Sequence, residues 1–206
     1  MKKSFFSTKV ITEIAVFAAI AFALDALQGG IFRGLFPSGG SIGIAMLPIL
    51  LICYRRGFVA GIITAFALSF LQMLGGVYAV ADVWYMVFLQ ILLDYILAYP
   101  CVAFAGLFVG KFKNSEERNA KILWLCIGTL IGGALKLLCH YLAGVIFWSS
   151  SCPEGFFGGP AVYSLVYNGG YMLPNIVVNG LLLVLIFVKQ PNFFNAEESQ
   201  AAKEAE

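Results

Sequence analysis

The sequence predicts an all-α integral membrane protein with six transmembrane helices and both termini in the cytoplasm. Composition, the lengths of the apolar runs and the placement of the charges each point there. Of 206 residues, 61% are hydrophobic and 12% charged, and the mean hydropathy is +0.90. Soluble domains average about 45–50% apolar and about 25% charged. A chain this small cannot hide so much apolar surface in one aqueous core, so lipid solvates most of it. The same apolar content excludes disorder. A net charge of +2 gives no reason to expect a nucleic acid partner.

The spans follow from the roughly 20 residues needed to cross about 30 Å of hydrocarbon as helix. They are predicted at 10–28, 41–54, 58–77, 83–109, 122–148 and 163–188. Span one follows Lys2, Lys3 and Lys9. It also has the look of a secretory signal, but cleavage would leave five spans and put the first remaining loop on the wrong side. Span two is short, and Pro48 implies a kink or an irregular, protein-packed start. Span four is long and carries Pro100, so it is expected to bend or tilt. The tail 191–206 is polar and acidic, and is expected to fray as a cytoplasmic tail to a transmembrane domain of 1–190. Five cysteines, an odd number, fit no disulfide framework. Cys53, Cys101, Cys126 and Cys139 lie in apolar runs and read as buried free thiols, with Cys152 nearer solvent.

Charge sets the orientation. Eleven basic residues fall on one side, at the N-terminus, at Arg55-Arg56, between spans four and five, and after span six. The opposite loops hold Arg33 alone among basic residues, and Lys136 lies within a span. The side rich in Lys and Arg is the cytoplasmic one.

Ionisable groups inside a span are costly, and by default they mark function or pair with each other. Asp94, deep in span four, is expected either to face a ligand or to pair with Lys136. Lys136, His140, Gly144 and Trp148 recur every four residues and share one face of span five. Gly144 leaves a gap between an imidazole and an indole, wide enough for a ring-shaped ligand. Span six opens with Tyr163, Tyr167, Asn168 and Tyr171, followed by Asn175 and Asn179. Tyrosines near a span end commonly form an interfacial belt, and Tyr171 fits that reading. The asparagine amides must find partners. Trp84 and Tyr85 add aromatics at the outer end of span four. Together these groups suit a small aromatic cation. Ala15, Ala19 and Ala23 line one face of span one and would admit a close helix neighbour, whereas Gly128 and Gly132 are expected to pack internally.

No phosphate-binding loop of the GxxxxGK[ST] type is present, so ATP hydrolysis by that route is not expected of this chain. One histidine cannot build a usual zinc site. Gly39-Gly40-Ser41-Ile42-Gly43 matches G-x-S-x-G but lacks the strand–turn–helix setting that motif requires. An intramembrane serine protease using Ser41 and His140 is the corresponding alternative, and a small channel or carrier is another.

The chain resembles the thiamine-specific S-components (ThiT type) of energy-coupling factor (ECF) vitamin transporters. The likeness rests on Ala15-x-x-x-Ala19, Gly39-Gly40-Ser41-Ile42 with Met46-Leu47-Pro48, and Arg55-Arg56-Gly57. It continues in Leu93-Asp94-Tyr95, His140-x-x-x-Gly144-x-x-x-Trp148, and Tyr163 with Asn168. The resemblance implies a six-helix bundle in the cell membrane that binds thiamine near the outer surface. Asp94 stands where the family places an acidic ligand contact, often a glutamate. Tyr95, His140, Gly144, Trp148, Tyr163 and Asn168 match the other binding positions. Trp84 matches an aromatic position, and Phe36 is the candidate for a first-loop aromatic. It further implies a transmembrane coupling subunit and two cytoplasmic ATPases as partners, docking on Ala15, Ala19 and Ala23. No enzymatic activity and no cofactor are expected of the chain itself. An S-component for another vitamin is the nearest alternative.

Overall fold

The computed structural model describes residues 7–32 and 34–195. Lys2, Lys3, Arg33, Lys203 and the tail beyond 195 lie outside the described residues. Among the described residues six helical rods make up the fold: α1 (Thr8–Phe32), α2 (Met46–Arg56), α3 (Phe58–Leu74), α4 (Trp84–Asn114), α5 (Arg118–Phe147) and α6 (Gly159–Lys189). The described residues contain no strand. Helices α1, α4, α5 and α6 are long and apolar enough to cross a membrane, and this is a multi-pass membrane protein.

The packing is inverted relative to a soluble bundle. On α6, Leu173, Val177, Leu181 and Leu185 form an exposed stripe at four-residue spacing, while Asn168, Asn175 and Asn179 are buried on the other face. Apolar side chains meet lipid and amides meet protein, because an unpaired amide in hydrocarbon is costly. Glycines let α5 approach its neighbours closely. A Cβ on Gly128 would lie 2.1 Å from the Tyr54 hydroxyl, one on Gly132 2.6 Å from the Val102 carbonyl, and one on Gly144 2.2 Å from Ser164 Oγ. Gly128 and Gly132 therefore pack internally, as their spacing predicts.

Helix α2 is shorter than predicted, starting at Met46 rather than 41. Pro48 lies in its first turn, where the missing N–H has no intrahelical acceptor to lose, so it produces no kink. The residues before it run as irregular backbone held by protein. Gly43 N–H donates to Asn175 Oδ1 (2.6 Å), and Asn175 Nδ2 donates to the Ser41 carbonyl (2.8 Å). Asn179 Nδ2 donates to the Gly43 carbonyl (2.8 Å), and Ala45 N–H donates to Gln28 Oε1 (3.2 Å). Buried amides on α1 and α6 thus take over the hydrogen bonds that water cannot supply at this depth.

Helix α4 changes its winding along its length. Trp84–Ile91 is α-helical, Leu92–Leu97 is a π segment, and Ala103–Phe108 is a 3-10 turn. Pro100 removes the N–H that would donate to the Ile96 carbonyl, and Ser69 Oγ of α3 donates to that carbonyl instead (3.4 Å). Around Pro100 the structure thus shows a change of winding, with the freed carbonyl satisfied by a neighbouring helix.

The basic segments converge at one end. Arg55 and Arg56, at the α2–α3 corner where Gly57 adopts φ 96°, both bind Glu13 of α1. The contacts are 3.0 Å from Arg55 Nη2 and 2.6 Å from Arg56 Nε. Arg55 Nη1 also donates to the Phe193 carbonyl, and its guanidinium lies over the Phe193 ring. Pro191–Phe194 forms a 3-10 turn whose Phe194 is fully buried against Phe112 and Phe187. The chain is therefore anchored past the predicted start of a fraying tail, because two adjacent aromatics find apolar partners there. All five cysteines are free, but the burial expected of four of them holds for Cys53 and Cys139 alone. Cys126 is exposed and faces outward from α5, a placement lipid tolerates as readily as a core does.

Candidate ligand-binding site

At the end opposite the arginines, the bundle encloses a cavity of about 740 Å³. Every helix but α2 contributes to its wall, together with the loops at 36–41 and 75–78. Asp94 sits on the π segment of α4, and His140 faces it from α5 with Nδ1 3.3 Å from Oδ1. Both side chains are less than one-fifth exposed. This carboxylate–imidazole pair takes the place of the Asp94–Lys136 pair weighed as an alternative. Lys136 is buried lower on the same face of α5, with Nζ 3.3 Å from the centroid of the Tyr99 ring.

Aromatic rings line the mouth. Trp148, capping the C-terminus of α5, stacks on Tyr78 with centroids 5.5 Å apart and planes 29° from parallel. Tyr78 is held in turn, because its N–H donates to the Tyr95 hydroxyl (3.0 Å). Across the opening, Phe36 meets Tyr171 and Tyr167 edge to face at 5.3 and 5.9 Å. The Tyr167 hydroxyl accepts from Ser38 N–H and donates to the Gly39 carbonyl, each at 3.0 Å, and so fixes the first loop. Tyr163 tilts against Tyr167.

The structure therefore brings Asp94, Tyr95, His140, Gly144, Trp148, Tyr163, Asn168 and Phe36 into one cavity wall. Trp84 is a correction. It is 80% exposed, does not line the cavity, and packs edge-on against Tyr85. An indole at a span end gains more at the membrane interface than in the bundle, and Phe88, one turn on, is exposed on the same side. Tyr171 corrects in the other direction. It is 4% exposed, lies edge-on to His140 at 6.0 Å, and belongs to the cavity rather than to an interfacial belt. Asn168 has its polar atoms engaged: Nδ2 donates to the Ser164 carbonyl (2.9 Å), and Oδ1 accepts from the Tyr171 hydroxyl (2.6 Å). It positions its neighbours as much as it faces the cavity.

Sequence reasoning missed a second polar cluster. Asp25 of α1 accepts from the Tyr99 hydroxyl (2.5 Å), Gln72 Nε2 (2.6 Å) and Gln28 Nε2 (3.3 Å). The rule that singled out Asp94, an acid inside a span, applies equally to Asp25. Ser41, by contrast, lines the cavity held through its carbonyl to Asn175. No hydrogen bond joins it to His140 among those of the described residues, so the geometry lends the protease reading no support.

The cavity is thus walled by aromatic rings and carries two carboxylates, Asp25 and Asp94. The family model described as thiamine transporter protein (Thia_YuaJ) matches residues 11–195. The chain belongs to the thiamine transporter family. Among members of this family, the thiamine transporter ThiT of Bacillus subtilis is 32% identical over 192 residues, covering 91% of this chain and 94% of that protein. The thiamine transporter ThiT of Lacticaseibacillus paracasei is 28% identical over 199 residues, covering 93% of each chain. A solved structure of ThiT from Listeria monocytogenes superposes with a TM-score of 0.72 at 28% identity, covering 90% of this chain and 96% of that one.

Proposed function

We propose that this thiamine transporter family member is the thiamine-binding S-component of an ECF-type uptake system in the cytoplasmic membrane. The observation that carries the proposal is the Asp94–His140 pair set among aromatic rings in a cavity at the end opposite the basic segments. Thiamine presents a cationic thiazolium ring and a flat aminopyrimidine. The carboxylate of Asp94 supplies the counter-charge, and Trp148, Tyr163 and Phe36 supply faces and edges for the rings. His140 holds Asp94 in place and offers a hydrogen-bonding edge, while Tyr95 braces the loop that carries Tyr78. Gly144 keeps the wall flat and lets α6 approach. The chain lacks a GxxxxGK[ST] loop, and the energy for release comes from two ATPases acting through a transmembrane coupling subunit docked on Ala15, Ala19 and Ala23. Those three alanines are exposed on α1, as docking requires.

Titration calorimetry in detergent tests the binding half. Asp94→Asn keeps the shape and removes the charge. Losing one partner of a desolvated charge pair costs about 3 kcal/mol, roughly a hundredfold in Kd. Unchanged thiamine affinity in that variant would remove Asp94 as the counter-ion.

A further inference from the structure

We propose that Asp25 determines specificity at this site: it neutralises Lys136 and thereby makes the cavity reject phosphate esters of its ligand. The proposal rests on thiamine being that ligand. Phosphorylating the hydroxyethyl arm of thiamine adds up to two negative charges to an otherwise unchanged molecule. A cavity of about 740 Å³ lies in the upper part of the usual range for small-molecule pockets, so one added phosphate group is not excluded by size. Discrimination must come from charge.

Lys136 is the one lysine or arginine among the described residues lining the cavity, against two carboxylates, Asp25 and Asp94. Lys136 is 6% exposed, and a buried ammonium of this kind would be the natural counter-ion for a phosphate. Its surroundings remove it from that role. Nζ lies over the Tyr99 ring at 3.3 Å, and the hydroxyl of that ring donates to Asp25 at 2.5 Å. Ammonium and carboxylate thus occupy two sides of one tyrosine. Gln72 and Gln28 donate to Asp25 as well, so donors from α1, α3 and α4 all converge on its carboxylate and hold it beside the Tyr99 hydroxyl. A phosphate entering this region meets a carboxylate and a cation already balanced. Asp94 pairs instead with His140, one turn of α5 beyond Lys136.

The test compares Kd values for thiamine and thiamine monophosphate, by calorimetry on the full-length protein in detergent. In Asp25→Asn the amide keeps the size of the side chain, and Lys136 loses its balancing charge. Thiamine monophosphate should then bind roughly tenfold or more tighter than to the wild type, with no matching gain for thiamine. Lys136→Gln should act oppositely, weakening the monophosphate more than thiamine. In the double variant the gain should vanish. A purely structural role for Asp25 would weaken both ligands in parallel. That result, or an unchanged affinity ratio in both single variants, overturns the proposal. Should Asp25→Asn fail to fold, Lys136→Gln decides alone. If the wild type binds no thiamine, the ligand assignment itself falls and takes this proposal with it. If thiamine binds and the ratio stays fixed, the specificity role of Asp25 alone falls.

Discussion

The indole of Trp148 rests against Tyr78, a residue on a loop that Tyr95 and Gln90 hold through hydrogen bonds to the backbone of Tyr78 and Val80. A ligand ring that stacks on Trp148 must either displace Tyr78 or use the other indole face, and both change the environment of the fluorophore. Thiamine is therefore expected to change tryptophan emission, and Trp148→Phe to remove most of that change while weakening binding by about 1–2 kcal/mol. Trp84→Phe should leave the response intact, because Trp84 stands outside the cavity. Trp124 is remote as well, stacked on Phe108 at the basic end. Emission titrations of the two variants check this, and full amplitude in Trp148→Phe would move the stacking platform elsewhere. The same residues show what was legible in the sequence. His140, Gly144 and Trp148 could be placed together because a regular α-helix repeats its face every three to four residues. Tyr99 could not be joined to Asp94 in that way. Five residues apart, they diverge by about 140° on a 3.6-residue helix, and both line the cavity across an i→i+5 π segment that no periodicity announced.

Helix α1 has three jobs at the scale of an element. Ala18 and Ala21 face the core, almost fully buried, Asp25 and Gln28 face the cavity, and Ala15, Ala19 and Ala23 are exposed. The four-residue spacing of the exposed alanines was readable in the sequence. The polar pair carries no period of its own, and only the cost of an acid inside a span, the signal that marked Asp94, could have picked out Asp25. If the alanine face meets a coupling subunit, Ala15→Trp combined with Ala19→Trp should abolish thiamine uptake by cells, since the indoles hold the two backbones apart. Thiamine affinity of the isolated protein should stay within about threefold of the wild type, as neither alanine touches the cavity. Retained co-purification of the double variant with coupling and ATPase subunits would exclude this face as the dock.

For the molecule as a whole, the six spans and their alternation were legible because basic residues are costly to translocate. The structure gathers the α2–α3 corner, the start of α1 and the segment after α6 at one end through Glu13, Arg55 and Phe193. The irregular stretch before α2 was not legible at its true length. Its support comes from Gln28, Asn175 and Asn179, which are distant in sequence and supply backbone partners that no local pattern encodes. The cavity, finally, is walled by every helix but α2, so an occupied site adds contacts between elements that otherwise touch it from different sides. Occupancy and unfolding are then a single coupled equilibrium. At thiamine a hundredfold above Kd, the folded state should gain about 2.7 kcal/mol, seen as a concentration-dependent rise in melting temperature that Asp94→Asn largely abolishes. In the cell, vitamin supply would set how long each copy of the protein survives proteolysis, making the abundance of the transporter a readout of its own cargo.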